Sequence, residues 1–260
     1  INTLLRHADQ AMYAAKQQGR QRWQRFTPAI NQFTQDRVAM EHALHEALRN
    51  GELHLHYQPQ VLSLQPHRLH GVEALARWQH PEWGSVSPMR FIAVAEDAGM
   101  MQELTDWLLE TACRQLALRR QQGVEVPQVA VNLSTKNFHD PGFASAVADV
   151  LQRHQLTSKD LVLEITESVM LDASPAPLAN LEALHRLGLQ LSLDDFGTGY
   201  SSLSYLHRLP ISELKLDKSF VQDLSNSVAA EALIRSVLGI ARSLHMKVVA
   251  EGVETPGQLQ

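Results

Sequence analysis

Residues with metal-binding and acid–base side chains recur at or just past the carboxyl ends of the apolar segments of this sequence. They are Glu73, Asn132, Glu164, Asp194, Asp195, Lys215 and Glu251. Oxygen donors without histidine or cysteine are typical of a site for a hard cation such as Mg²⁺ or Mn²⁺. Grouped carboxylates repel one another unless cations neutralise them. The adjacent Asp194 and Asp195 suit the bridging of two cations, and a two-cation site is a usual device for in-line displacement at a phosphodiester.

Most of these residues also have a structural interpretation when each is taken alone. A glutamate at a strand end, such as Glu73, is more often a solvated loop residue, and the segment Asn132–Ser134 could cap the helix that follows it. Asp194–Gly199 could be an ordinary glycine turn. Lys215 could be a surface lysine whose alkyl chain covers apolar neighbours. The functional interpretation of these residues therefore depends on their joint occurrence.

Glu164 is different because it lies inside the apolar segment Leu161–Ile165. A buried carboxylate without a partner costs on the order of several kcal/mol. The sequence therefore favours Glu164 as a cation ligand or as a partner in an ion pair.

Segments of strand length alternate with amphipathic segments of helical length along the chain. The predicted strands are Leu53–Leu62, Arg68–Trp78, Val129–Leu133, Leu161–Ile165, Leu189–Leu193, Glu213–Leu216 and Lys247–Ala250. The predicted helices are Leu4–Gln18, Gln35–Arg49, Phe91–Gln121, Phe143–His154, Leu178–Leu187 and Ala229–His245. This alternation favours βαβ units and a largely parallel sheet, and seven or eight such units close into a barrel more readily than they form an open sheet.

The first strand has a different pattern from the others. Leu53–Tyr57 alternates apolar and polar residues, and only a short turn separates this strand from the next one. Both features favour an antiparallel first pair. In a barrel, the loops after the carboxyl ends of the parallel strands converge and build the active site, so the residues named above would meet there.

The composition excludes several classes of protein. The chain has 260 residues, 44% of them hydrophobic, and a formal net charge of −5, which gives no global basic field for a nucleic-acid polymer. The single cysteine, Cys113, excludes an internal disulfide and favours a reducing compartment, for which we expect the cytoplasm. No apolar run reaches the roughly 20 residues of a membrane span, and the amino terminus has no signal-peptide pattern. A longer parent protein could still be anchored to a membrane through other segments.

Six motifs in this sequence resemble those of the EAL domain family, and they occur in the order typical of that family. They are Glu73–Arg77 (Glu-Ala-Leu-Ala-Arg), Asn132–Ser134, Glu164–Glu167, Asp194–Ser202, Lys215–Asp217 and Glu251–Glu254. The resemblance extends from about Arg37 to the end of the chain. It implies an α/β fold, a modified triosephosphate-isomerase-type (β/α)8 barrel. The implied activity is hydrolysis of cyclic di-GMP to linear pGpG, which lowers the level of a bacterial second messenger.

The resemblance also assigns roles to individual residues, including two Mg²⁺ or Mn²⁺ ions as cofactors. One ion would be held by Glu73, Asn132, Glu164 and Asp194, and the second by Asp194, Asp195 and Glu251. Lys215, with Glu73 and Glu251, would be catalytic, and Lys215 would donate a hydrogen bond to the attacking water. Substrate-binding roles are implied for Gln58, Leu75, Arg77, Asp217 and Glu254. Glu167 would stabilise the loop after Asp195, and a homodimer is the implied assembly.

The two ends of the chain depart from a complete EAL domain. Residues 1–20 resemble the last helix of a GGDEF (diguanylate cyclase) domain, which predicts a connector at 21–35 and the EAL domain at 36–260. The family continues through a further helix to a final strand, whereas this sequence stops at Gln260. We therefore expect a fragment of a tandem GGDEF–EAL protein whose barrel lacks its last strand, with exposed sheet edges as a liability.

Two other functions compete with the phosphodiesterase. Some EAL domains bind cyclic di-GMP without cleaving it and act as receptors, although those usually have broken metal motifs. A lysine-dependent aldolase on the same barrel would use Lys215 as its nucleophile, which requires a depressed pKa. The surrounding carboxylates and the nearby Asp217 would instead raise the pKa of Lys215.

Overall fold

A computed structural model gives the fold of the protein. It describes residues 4–5, 7–8, 11–12, 23, 25–63, 65–171, 174–197, 206, 209–222, 224 and 227–259, with the backbone alone at 28–35, 65–67 and 170–171. The chain forms two compact units. The first comprises Ile1–His54 and Arg77–Met100, and the second comprises Leu55–Ala76 and Met101–Gln260. None of the helices described is long and apolar enough to cross a membrane.

Strands alternate with helices along most of the described chain. The strands are β1 Leu53–Leu62, β2 Gln65–His80, β3 Gly84–Val86, β4 Val129–Leu133, β5 Leu161–Thr166, β6 Gln190–Phe196, β7 Glu213–Leu216 and β8 Lys247–Ala250. The helices are α1 Pro28–Asn50, α2 Pro88–Ala98, α3 Met101–Gln121, α4 Phe143–Arg153, α5 Glu167–Leu171, α6 Pro175–Arg186, α7 Lys218–Gln222, α8 Val228–Ser243 and α9 Pro256–Leu259. Short 3₁₀ helices cover Thr135–His139 and Ser158–Asp160.

The strands form one sheet in the order β1-β2-β4-β5-β6-β7-β8, and β3 pairs with β2. Every pair from β2–β4 to β7–β8 is parallel. Only residues 63 and 64 separate β1 from β2, so this neighbouring pair is antiparallel, because a parallel pair needs a long crossover. The predicted α/β fold with an antiparallel first strand is confirmed.

The helix α1 in the first unit begins at Pro28 rather than at the predicted Gln35. Proline is favourable in the first turn of a helix, because the backbone N–H that it lacks has no partner there. Part of the predicted connector, 21–35, is therefore helical. The described residues of the predicted helix Leu4–Gln18 are helical, and its other residues lie outside the described part.

The first unit has its own small core around Trp78, which is 1% exposed. The Trp78 ring packs edge-on against Phe91, with ring centroids 6.0 Å apart, and its Nε1–H donates to Glu52 Oε2 at 3.1 Å. The strand β3, which the sequence analysis missed, pairs antiparallel with the end of β2. Three residues are too few to show a periodic pattern.

The segment Phe91–Gln121, predicted as one helix, is two helices. Gly99 has a left-handed backbone conformation with φ of 73°, and the Met100 N–H bonds the Ala95 carbonyl, so α2 ends there and α3 begins at Met101. Glycine adopts this conformation without a Cβ clash, which makes it a frequent helix terminator. The apolar periodicity continues across this break and conceals it.

The core of the second unit lies between the parallel strands and the helices that connect them. Its fully buried strand residues include Val129, Val131, Leu161, Leu163, Ile165, Leu191, Leu193 and Leu214. Buried helix residues that belong to the same core include Leu109, Ala112, Cys113, Val147, Leu181 and Leu184. Because side chains alternate along a strand, the residues between these apolar ones point to the opposite face of the sheet. That face carries Asn132, Glu164 and Lys215.

Candidate active site

The ammonium group of Lys215 lies at the centre of four carboxylates. Its Nζ is 2.8 Å from Glu164 Oε2, 2.8 Å from Glu251 Oε1, 3.2 Å from Glu73 Oε2 and 3.2 Å from Asp194 Oδ1. The Lys215 side chain is 1% exposed and that of Glu164 is 0% exposed. These five residues are called the Lys215 cluster below. The distances of 2.8 Å to Glu164 and Glu251 match charge-assisted hydrogen bonds, and those of 3.2 Å to Glu73 and Asp194 are longer ion-pair contacts.

The sheet brings the Lys215 cluster together from five strands. Glu73, Glu164, Asp194 and Lys215 lie on β2, β5, β6 and β7, and Glu251 follows β8 directly. The Glu251 backbone N–H bonds the Leu216 carbonyl at 3.1 Å, which holds Glu251 beside the end of β7. The carboxyl ends of parallel strands meet at one edge of a sheet, so residues far apart in sequence become neighbours there.

Asn132 joins the cluster through Glu73. Its Nδ2–H donates to Glu73 Oε1 at 2.7 Å, and Asn132 is paired in register with Glu164 on the neighbouring strand. The alternative interpretation, that the segment Asn132–Ser134 caps the next helix, is also correct, because Ser134 caps the following 3₁₀ helix through the Lys136 N–H, whereas Asn132 itself contacts Glu73. The structure therefore assigns Asn132 to the cluster.

The sequence analysis missed Asn137, a residue that supports this loop. Asn137 is 1% exposed, and its Oδ1 accepts the Ser134 N–H at 3.1 Å and the Thr105 hydroxyl at 3.2 Å. Asn180 binds the same loop by donating to the carbonyls of Phe138 and Asp140, both at 2.8 Å. The spacing from Ser134 to Asn137 is that of a capping box, so the sequence contained a signal for this contact.

Glu164 has an electrostatic environment that suits a cation. Its Oε2 accepts from Lys215, whereas its buried Oε1 has no hydrogen-bond partner among the described residues. Burial raises the pKa of Glu164 well above its usual value, and Lys215 opposes this rise. Burial also raises the pKa of Glu251, against the effect of Lys215. Positive charge nearby is therefore required to keep these carboxylates ionised.

Lys215 is held in its charged form. Burial by itself lowers the pKa of Lys215, but Glu164, Asp194 and Glu73 together raise it above its usual value. This direction confirms the effect expected from the surrounding carboxylates. A protonated lysine is a hydrogen-bond donor and a poor nucleophile, so the site does not fit the aldolase alternative.

Asp194 and Asp195 lie near the carboxyl end of β6, where the backbone is irregular. The register of β6 with β7 shifts between Leu193 and Phe196, and Asp195 has a left-handed φ of 54°. The Asp195 N–H donates to Asp194 Oδ1 at 2.9 Å. Burial, then the neighbouring Asp194, raises the pKa of Asp195. In a regular strand, adjacent side chains point to opposite faces of the sheet. The irregular backbone changes this arrangement for the carboxylates of Asp194 and Asp195.

Glu167 contacts the turn after Asp195, as the resemblance implies. Its Oε1 accepts the Gly197 N–H at 2.9 Å. Residues 198–205, which include the rest of the Asp194–Ser202 motif, lie outside the described residues.

The other residues predicted to bind substrate lie in different elements of the fold. Gln58 lies on β1 and Leu75 on β2 in the second unit, whereas Arg77 lies in the part of β2 that belongs to the first unit. Hydrogen bonds from the Ser219 hydroxyl and then from the Ser219 N–H lower the pKa of Asp217, and the Glu254 N–H donates to Gln258. Among the described residues, no hydrogen bond or ion pair joins Gln58, Asp217 or Glu254 to the Lys215 cluster.

The donors of the site have the chemistry that a hard cation prefers. Carboxylate and amide oxygens are the ligands of Mg²⁺ and Mn²⁺, and the free Glu164 Oε1 has no other partner described. In the described part of the chain, no three acidic, histidine or cysteine side chains are already arranged as a metal site, because the carboxylates converge on Lys215 instead. The residues therefore fit divalent cations by donor type and by their need for positive charge.

Comparison with known proteins places the chain in a family. Its sequence matches the EAL domain model over residues 41–260. The bifunctional diguanylate cyclase/cyclic di-GMP phosphodiesterase MucR of Pseudomonas aeruginosa is 42% identical over 255 residues, which are 98% of this chain and 37% of that protein. The cyclic di-GMP phosphodiesterase PdeR of Escherichia coli is 39% identical over 252 residues, 97% of this chain and 38% of that protein. The chain thus spans about a third of the length of the curated relatives it matches.

Solved structures share the fold. The PaMucR phosphodiesterase in its c-di-GMP complex has a TM-score of 0.79 and 42% identity, with 85% of this chain and 89% of that chain covered. The EAL domain of Mycobacterium smegmatis DcpA has a TM-score of 0.64 and 32% identity, with 80% and 83% covered. The fold class predicted from the sequence, the modified triosephosphate-isomerase type of EAL domains, is confirmed. The family match over most of the sequence, together with these relatives, shows that the chain belongs to the EAL domain family.

Proposed function

We propose that this chain is a metal-dependent phosphodiesterase that hydrolyses one phosphodiester bond of cyclic di-GMP to give linear pGpG. The convergence of four carboxylates on the buried Lys215 ammonium carries this proposal. Relatives named as cyclic di-GMP phosphodiesterases support the substrate. In a cell, this activity would lower the level of a second messenger.

The proposed cation ligands are the oxygen donors at the strand ends. Glu73, Asn132, Glu164 and Asp194 would hold one Mg²⁺ or Mn²⁺ ion, and Asp194, Asp195 and Glu251 would hold the second. When bound, such ions neutralise the carboxylates, lower the pKa of a coordinated water and stabilise charge on the phosphoryl oxygens. The carboxylates of Glu73 and Glu251 would each serve both an ion and Lys215.

Lys215 would orient the attacking water. Its ammonium group is charged, shielded from solvent and held among the carboxylates, and cations that bind those carboxylates would free one of its three N–H groups to donate to a water. A donor that is fixed in advance stabilises a transition state without further reorganisation. No side chain has to form a covalent intermediate in this scheme.

The remaining assignments belong to the same proposal. Arg77 would pair with a phosphate oxygen of the dinucleotide, a role that suits its planar guanidinium. Gln58, Leu75, Asp217 and Glu254 would contact other parts of the dinucleotide, as their positions in the family motifs imply. A cytoplasmic location and a homodimer complete the proposal, and sedimentation equilibrium of the chain tests the dimer.

Product analysis tests the activity. The chain is incubated with cyclic di-GMP and Mg²⁺ or Mn²⁺, and pGpG is followed by chromatography. We expect product that disappears with a chelator and in Glu73→Gln, but persists in Glu182→Gln, where the same change is made on an exposed helix face. A folded chain that binds cyclic di-GMP and gives no pGpG with either ion would contradict the phosphodiesterase and identify a receptor.

A further inference from the structure

The short helix α7, Lys218–Gln222, lies against two glycines that follow proposed cation ligands. Gly197 has a φ of 94°, and a Cβ placed on it would lie 2.8 Å from Cζ of Phe220. Gly252 has a φ of 69°, and a Cβ placed on it would lie 2.7 Å from Cβ of Lys218. Both distances are shorter than side-chain contacts allow, so both glycines admit a close approach of α7.

The turn at Gly197 is fixed from two sides. Glu167 accepts the Gly197 N–H at 2.9 Å on one side, and the Phe220 ring lies against the Gly197 backbone on the other. Asp195, two residues earlier, has a left-handed φ of 54°. A non-glycine residue keeps this strained conformation only where its surroundings enforce it. Glu167 and Phe220 surround the backbone two residues after Asp195.

The segment after Glu251 is attached to the same helix. Gln258 donates from Nε2 to the Val221 carbonyl at 3.2 Å, and its Oε1 accepts the N–H groups of Glu254 and Thr255 at 2.8 and 3.0 Å. Together with the close approach of Lys218 to Gly252, these bonds connect α7 to the chain on both sides of Glu254. The helix therefore contacts the loop of Asp195 and the loop of Glu251.

We propose that α7 is a positioning element for the second cation, with Phe220 and Lys218 setting the separation between Asp195 and Glu251. The inference rests on the proposed function, since that function assigns these two residues to one ion. The ligands assigned only to the first ion, Glu73, Asn132 and Glu164, lie on β2, β4 and β5. Loosening α7 should therefore weaken one site and leave the other unchanged.

A Mn²⁺ titration of the 260-residue chain, followed by the electron paramagnetic resonance signal of free Mn²⁺, tests this proposal. The wild-type chain is expected to bind two ions. Phe220→Leu should retain one site and weaken the other about tenfold to a hundredfold, the range for residues that orient metal ligands. Gly252→Ala should give the same result from the opposite side of α7. Phe143→Leu, the same change at a core phenylalanine with 0% exposure, should retain both sites.

Each other outcome overturns the inference in a recognisable way. Two unchanged sites in Phe220→Leu would show that α7 does not position the ligands. Equal loss in Phe220→Leu and Phe143→Leu would reduce the effect to general destabilisation. A wild-type chain that binds fewer than two ions would overturn both this inference and the two-ion part of the proposed function, whereas the pGpG assay judges the activity separately.

Discussion

At the scale of single residues, the central relationship is that between Lys215 and Glu164. Both side chains are almost fully buried, and each charge is tolerable only because the other is present. One oxygen of Glu164 is committed to Lys215 and the other has no partner among the described residues. Glu164 can therefore accept a cation without releasing Lys215. The sequence indicated that this glutamate needs a partner, and Lys215 is that partner.

The stability of the chain should depend on divalent cations through Glu164. At a Mn²⁺ concentration about 100 times the dissociation constant, the free energy of unfolding should rise by about 2.7 kcal/mol. In Glu164→Gln this gain should fall by about 1.4 kcal/mol or more, equivalent to a tenfold weaker affinity. Urea unfolding in the presence of Mn²⁺ or of a chelator measures this gain in the free energy of unfolding, and Glu182→Gln is the control. An equal gain in Glu164→Gln would remove Glu164 from the ligands.

His70 should make stability depend on pH. Burial, and then Lys247, lowers the pKa of His70, although Glu213, with Oε2 at 4.0 Å from His70 Nε2, opposes this. When the pKa is lower in the folded state, the unfolded state binds more protons, so stability falls as the pH falls below the usual histidine value of about 6.5. His70→Gln should therefore lose less stability than the wild-type chain between about pH 7.5 and about pH 5.5.

Urea midpoints at the two pH values measure this difference. His185→Gln, a change on an exposed helix surface, is the control and should behave like the wild-type chain. If the wild-type chain loses no more stability at the lower pH than His70→Gln does, His70 is not the source of this pH dependence.

At the scale of the elements, Arg120 connects the end of α3 to the strands. It donates to the carbonyls of Val126 and Pro127, the latter at 2.7 Å, and pairs with Asp160 at 2.8 Å. The Asp160 pKa is lowered by its hydrogen bonds to Arg120 and Thr157, which outweigh the opposing effect of burial. The entrances to β4 and β5 are thus held by one guanidinium group.

Replacing Arg120 should destabilise the second unit. Arg120→Ala removes three hydrogen bonds to backbone carbonyls and the ion pair with Asp160, and it should lower the free energy of unfolding by about 1.5–3 kcal/mol. Arg119→Ala removes an exposed side chain bonded to Gln122 and should cost about 0.5 kcal/mol or less. Chemical denaturation compares the two variants. Equal losses of unfolding free energy in the two variants would show that the contacts of Arg120 do not stabilise the fold more than an exposed side chain does.

The elements that the sequence predicted well are those with a strong pattern. The parallel strands β4, β7 and β8 have the predicted bounds, because each is a short segment with apolar residues between polar or turn-forming flanks. The strand β6 extends to Phe196, beyond the predicted Leu193, because its last residues include two aspartates that a pattern of apolar residues excludes. The break at Gly99 and the three-residue β3 were missed, since neither changes the apolar periodicity.

The site was predicted by residue type and order but not by geometry. Parallel strands place Glu73, Glu164 and Glu251 at one edge, which the alternation of strands and helices implies. That all of them contact one ammonium group depends on strand register, which the sequence does not specify. The contacts of Phe220 and Lys218 with glycines also had no signal, because a helix of five residues has no recognisable pattern.

At the scale of the whole molecule, family membership is secure and the domain division stays a prediction. The match to the EAL family covers residues 41–260, whereas most of residues 1–24 lie outside the described part. The predicted GGDEF-like helix at 1–20 and connector at 21–35 are therefore proposals. Relatives roughly three times longer than the matched region, such as MucR, carry further segments, so the activity of a longer protein is also a proposal.

The turnover of Lys215→Met on cyclic di-GMP tests the central claim most directly. It is measured at saturating Mn²⁺ and dinucleotide, with Mn²⁺ binding and the thermal midpoint recorded for the same sample, and with Lys247→Met as the matched control on β8. If the Lys215 ammonium orients the attacking water, kcat should fall about a hundredfold or more while Mn²⁺ remains bound. Lys247→Met should keep the wild-type rate. A folded, Mn²⁺-bound Lys215→Met that cleaves cyclic di-GMP at the wild-type rate would contradict the account.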